Sequence, residues 1–85
     1  MGLEHKVREI VGRVLNLEPA SLRMEARLKE DLGATSLDRY TILIDIEESF
    51  GLEFDDVPEE ELDQGIKTVS DIVEFLRKRL PPEQA

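Results

Sequence analysis

The chain has 85 residues, a net charge of −9 and no cysteine. That is enough for one small domain with a modest core, and it excludes a disulfide framework or a thiolate metal site. The charge is lopsided: residues 1 to 30 carry six Lys/Arg and five Asp/Glu, whereas residues 31 to 85 carry five against fifteen. An acidic surface of this kind does not bind nucleic acid, whose phosphates need cations. It keeps a small domain soluble or steers it towards basic partners.

At the N-terminus, MGLEHKVREI has no apolar run of signal or membrane length. Lys6 stands where a myristoylation pattern needs Ser or Thr. The expectation is a soluble, cytoplasmic, monomeric protein without membrane insertion. Leu3, Val7, Ile10, Val11 and Val14 then recur at helical spacing, which predicts a first helix over 3–16. Leu17 to Ala34 shows no sustained period. Pro19, Ser21 and Gly33 punctuate it, and Leu22, Leu28 and Leu32 recur in it. A loop of this length is functional, disordered or pinned by buried side chains, and the three leucines predict pinning across the core.

A second helix is predicted over 36–50, with Gly51 at its left-handed end. The stretch LEFDDVPEEELDQG holds seven acids and no base; Pro58 would open a short third helix and Gly65 would close it. These acids lack the spacing of a calcium loop. Thr68-Val-Ser-Asp71 matches a capping box, and Val69, Ile72, Val73, Leu76 and Leu80 follow at helical spacing. Arg77, Lys78 and Arg79 suit that helix's negative end, and Pro81-Pro82 should stop it. No strand alternation is present. The fold expectation is all-α: three main helices, one short one and a long first loop.

The stretch DLGATSLDRY places two hydroxyls, Thr35 and Ser36, at the start of the second helix. Thr35-Ser-Leu-Asp38 fits a capping box. If Thr35 caps, Ser36 is the first helical residue and its hydroxyl is free at an anion-favouring terminus, where a phosphate ester would sit well. If Ser36 caps, Thr35 is an ordinary loop residue, and the residues alone leave both open. Ser36 is not a catalytic nucleophile: no histidine or lysine lies near it in sequence, and the one histidine, His5, is in the first helix. No acid–base pair or metal cluster emerges, so an enzyme is not expected.

At about 100° per residue, Ile42, Leu43, Ile46 and Phe50 face the core. Leu37, Tyr40 and Ile44 make a second apolar ridge beside Asp38, Asp45, Glu47 and Glu48. Such a ridge is either a docking surface for a basic, partly apolar partner or is covered by the long loop or the third helix. Arg39 falls on the core-facing side. Its stem should run along the apolar face with its head in solvent, and Glu30 or Asp31 could pair with it.

Taken together, "EDLGATSLD", the apolar-acidic helix ending "IEESF", the acidic segment and "IKTVSDIVEFL" resemble the acyl carrier protein family over nearly the whole chain. The resemblance implies a four-helix acyl-carrier bundle over residues 1–80 with a short C-terminal tail at 81–85. It implies 4′-phosphopantetheine, derived from coenzyme A, attached to Ser36 by a phosphopantetheinyl transferase. Acyl groups would be carried as thioesters to loading and processing enzymes with basic docking patches, in fatty-acid, lipid or polyketide-type biosynthesis. It implies partner-facing roles for Leu37, Asp38, Ile44, Glu47 and Glu48, and no catalytic residue. Thr35 in place of the usual Asp, Thr41 in place of an acid, Arg39 and a long acidic segment depart from the pattern and suggest a specialised member. Near the entrance to an acyl pocket, Arg39 would narrow that entrance or favour polar cargo, or be a plain surface residue. Alternatives are an aminoacyl or peptidyl carrier and an unmodified interaction domain of the same shape.

Overall fold

A computed structural model describes residues 2–80. Helix α1 spans Leu3–Leu15, α2 Ser36–Phe50, α3 Glu59–Gly65 and α4 Val69–Arg77. The expected order of three main helices and a short one is therefore present, with no strand among the described residues. The Pro81-Pro82 stop and the 81–85 tail lie outside the described residues.

Helix α1 buries Leu3, Val7, Ile10 and Val11 as its periodicity requires, with Val14 half-buried. It ends one residue earlier than expected because Asn16 turns left-handed (φ 59°), a conformation that asparagine tolerates better than most residues. The chain then folds tightly back. The Leu17 amide donates to the Gly12 carbonyl at 2.8 Å, and a Cβ on Gly12 would lie 2.7 Å from the Leu17 carbonyl oxygen. Only glycine accommodates that approach.

The long loop is pinned as its leucines predict. Leu22 and Leu28 are buried and Leu32 is half-buried. It also contains an unexpected 3-10 turn, Pro19–Ser21, in which the Ser21 hydroxyl donates to the Glu18 carbonyl at 2.7 Å. Further on, Arg27 and Thr68 form an isolated antiparallel bridge. The Leu28 amide donates to the Lys67 carbonyl, while the amides of Val69 and Ser70 donate to the carbonyls of Ala26 and Met24. These last two belong to the first turn of α4, which has no intrahelical acceptor for them. Asp31 fastens the same loop by accepting from the backbone and guanidinium of Arg27. The hydrogen bonds from Arg27, first from its side chain and then from its backbone, hold the Asp31 carboxyl below its ordinary pKa.

Gly51 ends α2 at φ 67°, and its amide donates to the Glu47 carbonyl. Pro58 precedes α3, but Gly65 is the last helical residue rather than a left-handed stop, and extended Ile66 ends the helix. Helix α4 opens on the expected capping box: Thr68 Oγ1 accepts from the Asp71 amide at 3.0 Å and the Asp71 carboxylate accepts from the Thr68 amide at 3.1 Å. It stops at Arg77, short of Leu80, because the last turn tightens; the amides of Arg79 and Leu80 both donate to the Leu76 carbonyl. Leu80 is still buried. The expected basic end is present, with Arg77 paired to Glu4 and Glu74, and Arg79 stacked 3.9 Å over the Phe75 ring.

Helix α1 packs against α2, α4 and the 3-10 turn; α3 takes no part in these close helix contacts. Val7, Val11, Ile46, Ile72 and Leu76 fill the centre, and Phe54 meets Phe75 edge to face with ring centroids 5.1 Å apart. Every fully buried side chain among the described residues is apolar.

Candidate functional site

The start of α2 resolves the question of the two hydroxyls. Thr35 is the extended N-cap. Its Oγ1 accepts from the Asp38 amide at 3.1 Å, and Asp38 Oδ2 accepts from the Thr35 amide at 3.0 Å. Ser36 is the first helical residue, is exposed, and its hydroxyl has no hydrogen-bond partner among the described residues. A free primary hydroxyl at the positive end of a fifteen-residue helix is well placed to carry a phosphodiester, whose charge the helix dipole and the nearby amides favour. The residues present therefore fit a phosphate-linked group.

Ser36 stands at the rim of a groove of about 800 Å³ between α2, α3 and the segment leading into α3. Its floor and walls are largely apolar, formed by Leu28, Ile42, Leu43, Val57, Ile66 and Ile72. Arg39 and Asp63 add a charged pair to the same lining. Arg39 falls on the core-facing side as expected, but its head is not in solvent: the side chain is only 22% exposed, and its partner is neither Glu30 nor Asp31. Nη1 donates to Asp63 Oδ1 at 2.9 Å, and Nη2 donates to the carbonyls of Asp63 (3.0 Å) and Ile66 (2.9 Å). Asp31 is taken by Arg27, so Arg39 turns to the end of α3 instead. A helical wheel identifies a guanidinium that needs a partner; it does not reveal which distant acid supplies one.

On its outward side, α2 presents the expected ridge. Leu37 is 71% exposed, Tyr40 63% and Ile44 38%. Neither the long loop nor α3 covers it. The acids beside it are less uniform than the helical wheel implies. Glu48 is exposed, but Glu47 is half-buried and its Oε2 accepts from the Phe54 amide at 2.7 Å, which fastens the turn after α2. One oxygen of Asp38 is committed to the cap. Asp45 leans 3.4 Å from Arg13 of α1. Thr41, one of the departures from the family pattern, donates to the Leu37 carbonyl of its own helix at 2.9 Å. His5 lies beside Glu9 on α1. Among the described residues, no group of three or more His, Cys, Asp or Glu is arranged to hold a metal, and no helix is long and apolar enough to cross a membrane.

The sequence was also compared with those of known proteins. Residues 5–76 match the family described as the phosphopantetheine attachment site. The chain is 39% identical over 75 residues to the acyl carrier protein of Thermotoga maritima, covering 88% of each. It is 38% identical over 77 residues to that of Rickettsia typhi, covering 91% of this chain and 85% of the relative. Against the acyl carrier protein of Bdellovibrio bacteriovorus it is 35% identical over 79 residues, covering 93% of this chain and 96% of the relative. By the family match and these relatives, the chain belongs to the acyl carrier protein family, non-enzymatic carriers of acyl groups on covalently attached 4′-phosphopantetheine.

Proposed function

We propose that Ser36 bears the phosphopantetheine, that the adjoining groove shelters the acyl chain, and that the exposed face of α2 docks partner enzymes. The observation that carries this reading is the division of labour at the helix start: Thr35 does the capping, which leaves the Ser36 hydroxyl free at the rim of an apolar groove. Once attached, the group supplies a terminal thiol that holds the acyl group as a thioester.

The remaining work falls to the chain's own residues. The capping box fixes the direction of Ser36, so the attachment point does not wander. Half-buried Leu43 and Leu62 offer apolar surface to hydrocarbon, above the buried Leu28, Ile42 and Ile72. Leu37 and Ile44 give a partner an apolar foothold, and Glu48, with the free sides of Asp38 and Glu47, supplies the charge that a basic patch on a phosphopantetheinyl transferase or acyl-processing enzyme would meet. Partner enzymes of lipid or polyketide-type biosynthesis fit the family. The net charge of −9 keeps copies apart and favours a monomer, and the absence of cysteine suits the cytoplasm.

The test is intact mass after incubation with coenzyme A, Mg²⁺ and a broad-specificity phosphopantetheinyl transferase. Wild type should gain one phosphopantetheine. Ser36→Ala should gain none while keeping its helical signal, because Thr35 still caps. Modification of Ser36→Ala would move the attachment to another residue, and an unmodified wild type would return the chain to the class of unmodified interaction domains.

A further inference from the structure

Helix α3 is anchored at its flanks by buried Val57 and Ile66, and one charged side chain from another helix ties its end to α2. It is seven residues long, has no side-chain N-cap and carries no basic residue in its last turn. Its closest helix contacts are fewer than those of α1 with α2 and α4, and among its described side chains Leu62 is the one partly buried against the core. The last carbonyls of a helix need donors, and its negative end favours a cation. Arg39 of α2 supplies both: it reaches across the groove to Asp63 and to the carbonyls of Asp63 and Ile66 with three hydrogen bonds of 2.9 to 3.0 Å. Its side chain is only 22% exposed. The same three residues line the groove that begins at Ser36.

We propose that Arg39 is a latch that sets a chain-length threshold for cargo: it fastens α3 over the groove, and an acyl chain enters only when its burial outweighs the loss of the latch. This rests on the reading that Ser36 carries the arm and that the groove receives the chain. The threshold follows from two opposed quantities. Breaking the latch is a fixed cost, because a half-buried guanidinium and two helix-end carbonyls lose their partners together. Burying hydrocarbon is a gain that grows with every methylene. Short acyl groups therefore stay outside, exposed to partner enzymes, and long ones displace the latch and are sheltered. A lysine would not reproduce this, since it lacks the planar fork that bonds one carboxylate and two carbonyls at once.

The experiment compares wild type, Arg39→Met, Arg39→Lys and Asp63→Asn in two states. In the unloaded proteins, amide hydrogen exchange in α3 should accelerate about tenfold in Arg39→Met and Arg39→Lys, as expected for a short element losing the tether at its end, and less in Asp63→Asn, which keeps the two carbonyl bonds. Loading is then verified by intact mass, and the rate of thioester cleavage by hydroxylamine is measured for butanoyl, octanoyl and palmitoyl forms. In wild type, protection should appear only towards the long end of the series. In Arg39→Met it should appear at octanoyl, with cleavage several-fold slower than in wild type and butanoyl unprotected in both. Equal octanoyl protection in the two proteins would overturn the latch. So would weaker protection in Arg39→Met, since Arg39 would then build the groove rather than close it. Failure of Ser36 to load would overturn the carrier assignment instead, and the exchange measurement on unloaded protein stands apart from that.

Discussion

Helices α2 and α4 begin with the same device and put it to opposite uses. Each has a threonine N-cap, an aspartate three residues on, and both reciprocal hydrogen bonds. In α4 the residue after the cap is Val69, fully buried, and the helix buries Val69, Ile72, Val73 and Leu76 on one face. In α2 the residue after the cap is exposed Ser36; only Ile42 and Ile46 are fully buried, while Leu37, Tyr40 and Ile44 face outward. The start of α4 is tied to the long loop by Val69 and Ser70, whereas Ser36 of α2 is left free. One start signal thus produces a helix committed to the core and a helix with three of its seven apolar residues held out for contact.

That contrast can be broken most forcefully in the core. Leu76→Ala should cost about 2–5 kcal/mol, the range for truncating a well-packed leucine, whereas Leu37→Ala should stay within about 0.5 kcal/mol. Urea melts of both variants check this, and a large loss from Leu37→Ala would show that the ridge is structural. The caps come next. Thr68→Ala and Thr35→Ala should each fall within about 0.5–2 kcal/mol, with Thr68 towards the upper end because its cap is partly buried. An unchanged Tm for Thr35→Ala would mean that Ser36 can take over the cap, and the separation of roles at the helix start would fail.

The rim acids sharpen the comparison without touching stability. Glu48→Lys should leave the melt within about 0.5 kcal/mol and slow association with a partner enzyme several-fold at low salt, with the gap closing as salt is added. Glu47→Lys should lower stability as well, because the Phe54 amide loses its acceptor. A stopped-flow series at two ionic strengths separates the two, and salt-independent rates for Glu48→Lys would remove its steering role. The smallest effect concerns the loop that ties down α4. Asp31 has a folded-state pKa below its unfolded value, so its contribution is fully present above the ordinary carboxylate range and fades as pH falls through the lowered value. Asp31→Asn should therefore bring the stability of the variant and of wild type together in acid while leaving them apart at neutral pH. A difference that persists in acid would mean that the Asp31 contribution does not depend on its charge.

Local chemistry carried most of this architecture into the sequence. Two capping boxes, the αL glycine at 51 and the 3.6-residue spacing of Val7, Ile10 and Val11 act over a few residues, and such signals can be read one at a time. The leucines of the long loop announced burial, although not the bridge from Arg27 to Thr68. What stayed hidden was where a side chain or backbone group meets a partner across a turn or between helices: Arg39 with Asp63, Glu47 with the Phe54 amide, Gly12 beneath the Leu17 carbonyl. The site was legible to the same extent. Ser36 and the outward ridge follow from the helical wheel, but the choice between the two hydroxyls needed the Asp38 geometry, and the charged band across the groove needed the position of α3.

The stitching of the long loop onto α4 has a consequence for proteases. Arg23, Arg27 and Lys29 place three tryptic bonds in a connection that would ordinarily be cut first. Here the backbone around them supplies acceptors to the first turn of α4, so it cannot peel away without leaving Val69 and Ser70 amides unpaired. Cleavage of the native chain after Arg27 should then be slow and should wait for unfolding of the whole domain. Its rate should rise in Leu76→Ala by the factor that the lost stability sets, so a nominally loose connector becomes a gauge of global stability.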